Sequence, residues 1–269
     1  MKNTYEKLKD LLGTMSSVLV AFSGGVDSSL LLAAARDALG DAVLAVTALS
    51  PLVPEQEVAR AREISLELGA PWTGVPVHDL EDHHFRANPP NRCYTCKKQL
   101  FQELLRVAER EGLDVVVEGT HAGDLEDYRP GLRALRELGV RSPFIELGLN
   151  KPQIRQMARA RGLKNWDQPS AACLASRIPY GEPITGEKLQ RIATCEELLR
   201  KLGFSQVRVR DHGSLARIEL LRGELDRALE EKNLEAIVCG CKNTGYTYVT
   251  LDLQGYRTGA MNEVLEGTG

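Results

Sequence analysis

Residues 17–39, SVLVAFSGGVDSSLLLAAARDAL, confine the chain to a narrow choice of folds. A short apolar run without polar alternation is the mark of a strand covered on both faces, and such strands belong to parallel sheets. Gly24 and Gly25 follow the run; after them Leu and Ala recur at helical spacing until Gly40, a stop signal. A strand, a glycine turn and a helix, in that order, begin a βαβ unit.

The same grammar repeats downstream. AVLAVTAL (42–49) is a second strand, PEQEVARAREISLELG (54–69) a helix that opens on Pro and acids, and WTGVPV (72–77) a weaker strand. CKKQLFQELLRVAEREG (96–112) is a helix, and LDVVVEGT (113–120) a buried strand running into a polar loop. The expectation is an α/β fold, a parallel sheet with helices on both faces, whose ligands sit at the carboxyl ends of the strands. The glycine turn (23–25), TALS (47–50) and EGTHAGD (118–124) all fall at that edge.

From about Pro179 the pattern changes. TGEKLQRIATCEELLRKLG is a helix with a Thr cap, SQVRVRDHG and LARIELL alternate like half-buried strands, GELDRALEEKN is a helix, and YTYVTLDLQGY is a last strand. These elements predict a small α+β domain with an antiparallel sheet. The expected division is a first domain at 1–164, a linker at 165–182 carrying Cys173, and a second domain at 183–269.

The 269 residues suffice for one large domain or two modest ones, and 43% hydrophobic content supports a packed core. Aromatics are 5%, so that core should be mostly Leu, Val, Ala and Ile. A net charge of -3 argues against an extended electropositive surface, and hence against tRNA or DNA as substrate. No run approaches the roughly 18–20 apolar residues of a membrane span. The start, MKNTYEKLKDLLG, is an amphipathic helix pattern with too many charges for a secretory signal. The chain reads as cytoplasmic, where six cysteines stay mostly reduced and their spacing points to metal or chemistry.

A strand that runs into Gly-Gly and a helix aims several N–H groups and the positive helix end at one point. Ser23, Ser28 and Ser29 add hydroxyl donors, so the loop is an anion site without a lysine of its own. Asp27 beside phosphate makes sense as a Mg²⁺ ligand or as a helix N-cap. Ser23-Gly24-Gly25-Val26-Asp27-Ser28-Ser29 resembles the SGGxDS motif of the N-type ATP pyrophosphatase, or PP-loop, superfamily, whose fold is the adenine nucleotide alpha-hydrolase type. That resemblance implies a loop gripping the pyrophosphate end of ATP while a substrate oxygen attacks the α-phosphorus. It also implies a second nucleotide-contacting loop at Gly119 and Thr120.

Cys93 and Cys96 form a Cys-x-x-Cys at the mouth of a helix, next to Arg92, Lys97 and Lys98, a setting that favours thiolate. Cys173 lies in QPSAACLASRIPYG. Three thiolates on one site could bind a 4Fe–4S cluster and leave one iron open. A structural zinc would need a fourth ligand, from His83, His84, Cys239 or Cys241. Cys195 falls within a helical pattern and reads as packing, and VCGCK (238–242) is too closely spaced to chelate by itself.

The PP-loop, RCYTCKKQLF, DQPSAACLASRIPYG and VRVRDHGSLARIEL occur together and in this order, and over essentially the whole chain this resembles the LarE family of ATP-dependent sulfur transferases. The resemblance implies that a carboxylate of pyridinium-3,5-biscarboxylic acid mononucleotide is adenylylated and then converted to a thiocarboxylate, in biosynthesis of a nickel-pincer nucleotide cofactor. It implies ATP and Mg²⁺, with Cys93, Cys96 and Cys173 holding a 4Fe–4S cluster that carries the sulfur. In the family's single-cysteine form, the residue at the Cys173 position gives up its own sulfur instead. A homo-oligomer is also implied.

Arg208 and Arg210 share one strand face, because side chains alternate with period two, and paired guanidiniums suit phosphate or carboxylate. The family resemblance puts the substrate phosphate there. Arg177, four residues after Cys173, is a candidate beside the reacting sulfur. Glu197 and Glu219 are candidate partners for the arginines, His212 a candidate proton carrier, and Asp127 and Arg129 candidates beside the nucleotide. A tRNA thiolase of the same superfamily is the alternative reading.

Overall fold

Strand β1 (Val18–Ala21) shows how the first half of the chain is built. Val18 and Val20 face one way and Leu19 the other, and all three are completely buried. In chain order this half contains α1 (Thr4–Gly13), β1, α2 (Val26–Leu39), β2 (Val43–Leu49), α3 (Glu55–Glu67) and β3 (Trp72–Pro76). After α4 (His83–Arg86) come α5 (Arg92–Glu111), β4 (Val115–Val117), α6 (Gly131–Glu137), α7 (Pro143–Glu146) and α8 (Lys151–Ala160). The computed structural model describes residues 4–126, 130–168, 173–257, 259–261 and 263. Contacts divide the chain into two compact units, Met1–Asp79 with Asn91–Ala171, and Leu80–Pro90 with Ala172–Gly269.

The four strands of the first unit form one parallel sheet in the order β3-β2-β1-β4. One face, with Val18, Val20, Val43, Ala45 and Val117, packs under Leu8 and Leu12 of α1, Leu30 and Leu31 of α2, and Ile154 of α8. The other, with Leu19, Val46 and Val116, packs under Phe101 and Leu104 of α5 and Leu135 of α6. Helices thus cover both faces, as the unbroken apolar strands required. At the start of α8, Asn150 accepts from the Gln153 N–H at 3.1 Å while Gln153 accepts from the Asn150 N–H at 2.9 Å. This reciprocal cap fixes Lys151 as the first helical residue.

In the second unit, α4 and its neighbours are an excursion from the first half of the sequence, and Asn88 holds them. Its backbone is left-handed (φ 55°), and its buried side-chain amide donates to the carbonyls of Ile178 (3.2 Å), Pro179 (2.7 Å) and Glu182 (3.0 Å). Nothing in the composition of residues 80–90 separates them from their sequence neighbours.

The rest of the unit contains α9 (Gly186–Lys201), β5 (Val207–His212), β6 (Leu215–Leu220), α10 (Leu225–Leu229), α11 (Glu231–Asn243) and β7 (Tyr248–Leu251). The Thr185 hydroxyl caps α9 as expected, accepting from the Lys188 N–H at 3.2 Å. Two expectations are corrected. The sheet, ordered β5-β6-β7, is mixed: β5 and β6 are antiparallel across the Gly213–Ser214 turn, whereas β6 and β7 are parallel. The chain between β6 and β7 is a helical crossover, which brings it back to the starting end of the sheet. GELDRALEEKN is also not one helix. Glu230 is extended (φ -58°, ψ 132°), and Asn233 Nδ2 reaches back to the Arg227 carbonyl at 2.8 Å, ending α10 and freeing α11 to run through Cys239 and Cys241. Among the described residues no helix is long and apolar enough to cross a membrane.

Replacing Asn88 by Ala leaves three carbonyls without their donor and puts at positive φ a residue that tolerates it less well than asparagine. Urea denaturation should show a loss of about 1–3 kcal/mol, and an unchanged midpoint would contradict the anchoring role.

Candidate functional site

The edge at which the strands of the first unit end gathers the polar loops. The Phe22 N–H bonds the Val46 carbonyl at 2.8 Å, carrying the ladder one residue beyond β1. The chain then turns at Gly24 in the left-handed region (φ 72°), where a Cβ would lie 2.9 Å from Ala61 Cα. Only glycine satisfies both demands. Gly25, extended, is the N-cap of α2, without a side-chain cap. The Ser23 and Ser28 hydroxyls lie 3.2 Å apart, and Ser28 donates to the Gly25 carbonyl at 3.1 Å. Ser29 is wholly buried, and its Oγ accepts from Asn165 Nδ2 at 2.9 Å.

Asp27 is inside the first turn of α2 and is not its N-cap, which corrects one of its two expected roles. Both its carboxylate oxygens accept from Lys151 Nζ, at 2.7 and 2.6 Å. The loop therefore has a lysine, supplied from the start of α8. Gly119 lies against the same turn: a Cβ on it would be 3.2 Å from Asp27 Cβ and from the Ser28 nitrogen. Thr120 is held by the buried Glu118 carboxylate, which accepts from its N–H at 3.1 Å and its hydroxyl at 2.5 Å.

Cys93 and Cys96 sit at the start of α5, about one helical turn apart; Cys93 is exposed and Cys96 half-buried. Because α5 leads into β4, its start lies at the carboxyl edge of the sheet, and Lys97 Nζ approaches Glu118 Oε2 at 3.9 Å.

The second unit has its own polar face. Val207 and Val209 of β5 enter the apolar core, which turns Arg208 and Arg210 to the opposite side. Arg210 makes a two-pronged pair with Glu219, at 2.9 and 2.8 Å, and donates to the Ser176 carbonyl at 2.7 Å. Arg177 makes the same kind of pair with Glu196, at 2.7 and 3.0 Å, and donates to the Cys173 carbonyl at 3.1 Å. Arg208 donates to the Val207 carbonyl at 2.7 Å and lies over the Tyr256 ring. Burial, and next the Arg177 charge, push its pKa down to about 10. On this face three buried arginines, Arg177, Arg208 and Arg210, meet two buried carboxylates, Glu196 and Glu219. Cationic charge is in excess where solvent is excluded, which suits an anion.

No protein-family profile matches the chain. It is 42% identical over 265 residues to an uncharacterized protein of Synechocystis, covering 98% of this chain and 99% of the relative. It is 39% identical over 259 residues to the pyridinium-3,5-bisthiocarboxylic acid mononucleotide synthase of Lactiplantibacillus plantarum, covering 96% of this chain and 92% of the relative. The chain belongs to the LarE family. A tRNA-specific 2-thiouridylase of Mycobacterium marinum is more distant, 31% identical over 207 residues that cover 64% of this chain and 57% of the relative. The four-stranded parallel sheet of this chain, flanked by helices, is the α/β fold of the PP-loop superfamily.

Within this LarE-family chain, Ser23, Gly24, Gly25, Asp27, Ser28, Ser29 and Gly119 come together at one turn, and Thr120 follows Gly119, held by Glu118. Arg177, Arg208 and Arg210 come together in the second unit, where the exposed Cys173 opens the short 3₁₀ turn Leu174–Arg177. Glu219 is the expected partner of Arg210, but Glu197 pairs with Lys201 at 2.6 Å, and its neighbour Glu196 takes the arginines instead. His212 ends β5 exposed, His83 and His84 are exposed on α4, and Cys195 and Cys241 are buried in the core of the second unit. Cys239 is exposed on α11. Asp127 and Arg129 lie outside the described residues. Among the described residues no three His, Cys, Asp or Glu side chains form a group that could hold a metal ion.

Sequence reasoning missed Lys151, Asn165, Glu118 and Glu196. Burial works to raise the Glu196 pKa, but the Arg177 charge and hydrogen bonds, with Arg200 and Arg208, outweigh it and hold the carboxyl below its ordinary 4.5. A carboxyl lowered on folding stabilises the protein above its unfolded pKa, and that stabilisation is lost as pH falls through the folded value. Glu196→Gln should therefore cost about 3–5 kcal/mol at neutral pH by stranding Arg177. It should also flatten the acid limb of stability below 4.5, checked by denaturation across pH; an unchanged limb would count against the pair.

Proposed function

We propose that this protein is an ATP-dependent sulfurtransferase that adenylylates a carboxylate of pyridinium-3,5-biscarboxylic acid mononucleotide and converts it to a thiocarboxylate. The observation that carries the reading is the Gly24–Gly25 turn, where the positive end of α2, Lys151 and the Gly119 loop meet. The turn supplies fixed donors for a departing pyrophosphate, and such preorganised donors stabilise the charge that develops there. Ser23, Gly24, Gly25, Ser28, Gly119 and Thr120 hold the nucleotide, and Ser29 braces the turn from behind. Asp27 would hold Mg²⁺, which would offset phosphate charge, while Lys151 is released to the phosphate oxygens.

A substrate carboxylate oxygen bonds to the α-phosphorus, the bridging P–O bond breaks, and pyrophosphate leaves. Arg208 and Arg210, with Arg177 behind them, offer their surplus charge to the substrate phosphate. Sulfur then bonds to the acyl carbon, and AMP leaves with the electrons of the C–O bond.

In kind, Cys93, Cys96 and Cys173 fit a 4Fe–4S cluster: they are three thiols, two of them one helical turn apart. When bound, the cluster would present transferable sulfide on its open iron. The exposed Cys173, its carbonyl fixed by Arg177, favours a second reading. Its Sγ attacks the acyl adenylate to form a thioester; loss of the Cα proton to a base and of the Cβ–S bond then releases thiocarboxylate and leaves dehydroalanine.

Cys173→Ala decides whether the two half-reactions are separate. It should still release pyrophosphate from ATP and the dicarboxylate mononucleotide, yet form no thiocarboxylate by mass spectrometry. Full thiocarboxylate yield from the variant would refute both sulfur routes. Iron and sulfide analysis of oxygen-free protein separates the two: about four of each per chain for the cluster, none for the cysteine.

A further inference from the structure

Asn165 belongs to no regular element, yet it touches the glycine turn at two points. Its Nδ2 lies 2.9 Å from the Gly24 carbonyl oxygen and 2.9 Å from Ser29 Oγ. One amide group thus spends both hydrogens on the turn, one on its backbone and one on the first turn of α2. Asn165 is itself held: Trp166 packs against the core under α2 and α8, and Arg155 Nη2 donates to the Gln168 carbonyl at 3.2 Å.

The Gly24 carbonyl and the Gly25 N–H belong to one trans peptide, so they point in opposite directions. A carbonyl drawn toward Asn165 turns the Gly25 N–H away from it, where the remaining contact is a long one, 3.4 Å, to Ser23 Oγ. Between two glycines this peptide has an alternative. A half-turn of the plane changes ψ of Gly24 and φ of Gly25, and glycine accepts the positive φ that results. The flipped peptide would present a carbonyl oxygen where the N–H had been, and an oxygen repels phosphate. A Gly-Gly turn needs glycine at Gly24 for its fit against Ala61, and it therefore also needs something to stop the flip.

We propose that Asn165 is that lock, a positioning residue that keeps the Gly25 N–H turned toward the pyrophosphate end of ATP. The inference rests on reading the turn as the ATP cradle and adds the residue that sets its polarity. Asn165→Ala removes the lock; Asn165→Asp keeps the shape but faces the Gly24 carbonyl with a carboxylate, which drives the flip.

The test is calorimetric titration of the full chain with inorganic pyrophosphate and, separately, with AMP, which lacks the group that the turn grips. Asn165→Ala should bind pyrophosphate at least about tenfold more weakly, the loss expected for one hydrogen bond to a charged group. Asn165→Asp should be weaker still, and both should keep AMP affinity within about twofold. Pyrophosphate affinity unchanged in either variant, or AMP and pyrophosphate lost in equal proportion, would overturn the proposal and leave the ATP reading intact. A wild-type chain that binds neither ATP nor pyrophosphate would overturn both. If the variants do not fold, the wild-type protein still answers: pyrophosphate should move the Gly25 amide proton downfield in a ¹⁵N-resolved spectrum, and a Gly25 resonance that stays in place would end the idea.

Discussion

Close approach of backbone to backbone is the constraint on which the nucleotide edge depends. Gly24 sits at positive φ with Ala61 against it, and Gly119 sits against Asp27 and the Ser28 nitrogen. A methyl group at either place would force the turn away from α3 or from the loop after β4. The donors at the start of α2 and the Thr120 loop converge because nothing larger than hydrogen stands between the segments that carry them. Fixed donors are worth most where they need no rearrangement at the moment charge develops, and the glycines create that condition through packing as much as through flexibility.

The second unit reaches a polar site by a different route. Its arginines are buried, and a buried guanidinium is costly unless paired. Glu196 and Glu219 provide two-pronged partners, and Glu196 also accepts from the Val209 N–H at 3.1 Å, tying the carboxylate to the strand that bears Arg208 and Arg210. The order this imposes is geometric. Arg210 holds the Ser176 carbonyl and Arg177 the Cys173 carbonyl, so the arginine face and the segment carrying the exposed thiol are parts of one hydrogen-bonded structure. A phosphate read by that face would be read at a fixed distance from the thiol's backbone.

Local periodicity made most elements legible. The apolar runs of β1, β2 and β4, the Thr185 cap and the alternation of VRVR are each written in a few adjacent residues. The pairing of Asp27 with Lys151 is not, because 124 residues separate them and no spacing rule connects a loop to a helix start so far away. Glu196 is a different kind of miss. Leu189, Ile192 and Leu199 mark the buried stripe of α9, and Glu196 falls in phase with them whereas Glu197 does not. The stripe was readable; a glutamate on it looked out of place only because its arginines lie on another element. The mixed sheet is not legible in this way, since a helical connection between β6 and β7 permits a parallel return without requiring one. What stayed hidden were charges whose partners are distant in sequence, and the docking of residues 80–90, whose anchor Asn88 bonds carbonyls 90 to 94 residues away.

Both polar sites share one electrostatic solution. A site built to receive an anion must carry positive charge when empty, and unpaired positive charge destabilises the empty fold. Here three of the four cations are held by a carboxylate from the chain: Lys151 by Asp27, Arg177 by Glu196, Arg210 by Glu219. The pairs differ in what they can become. Asp27 and Lys151 are each partly exposed, at 28% and 22%, so under the proposed reading an incoming phosphate would take the lysine while its metal ion would take the aspartate. No charge is stranded in that exchange. Glu196 and Arg177 are sealed at 0% and 2%, and separating them would strand both. Of the paired cations, Lys151 is therefore the one free to change partners as ligand arrives. Under the proposed reading the arginine face would hold its shape and bind through its surplus charge, a flexible lysine serving the first site and planar, two-pronged guanidiniums the second.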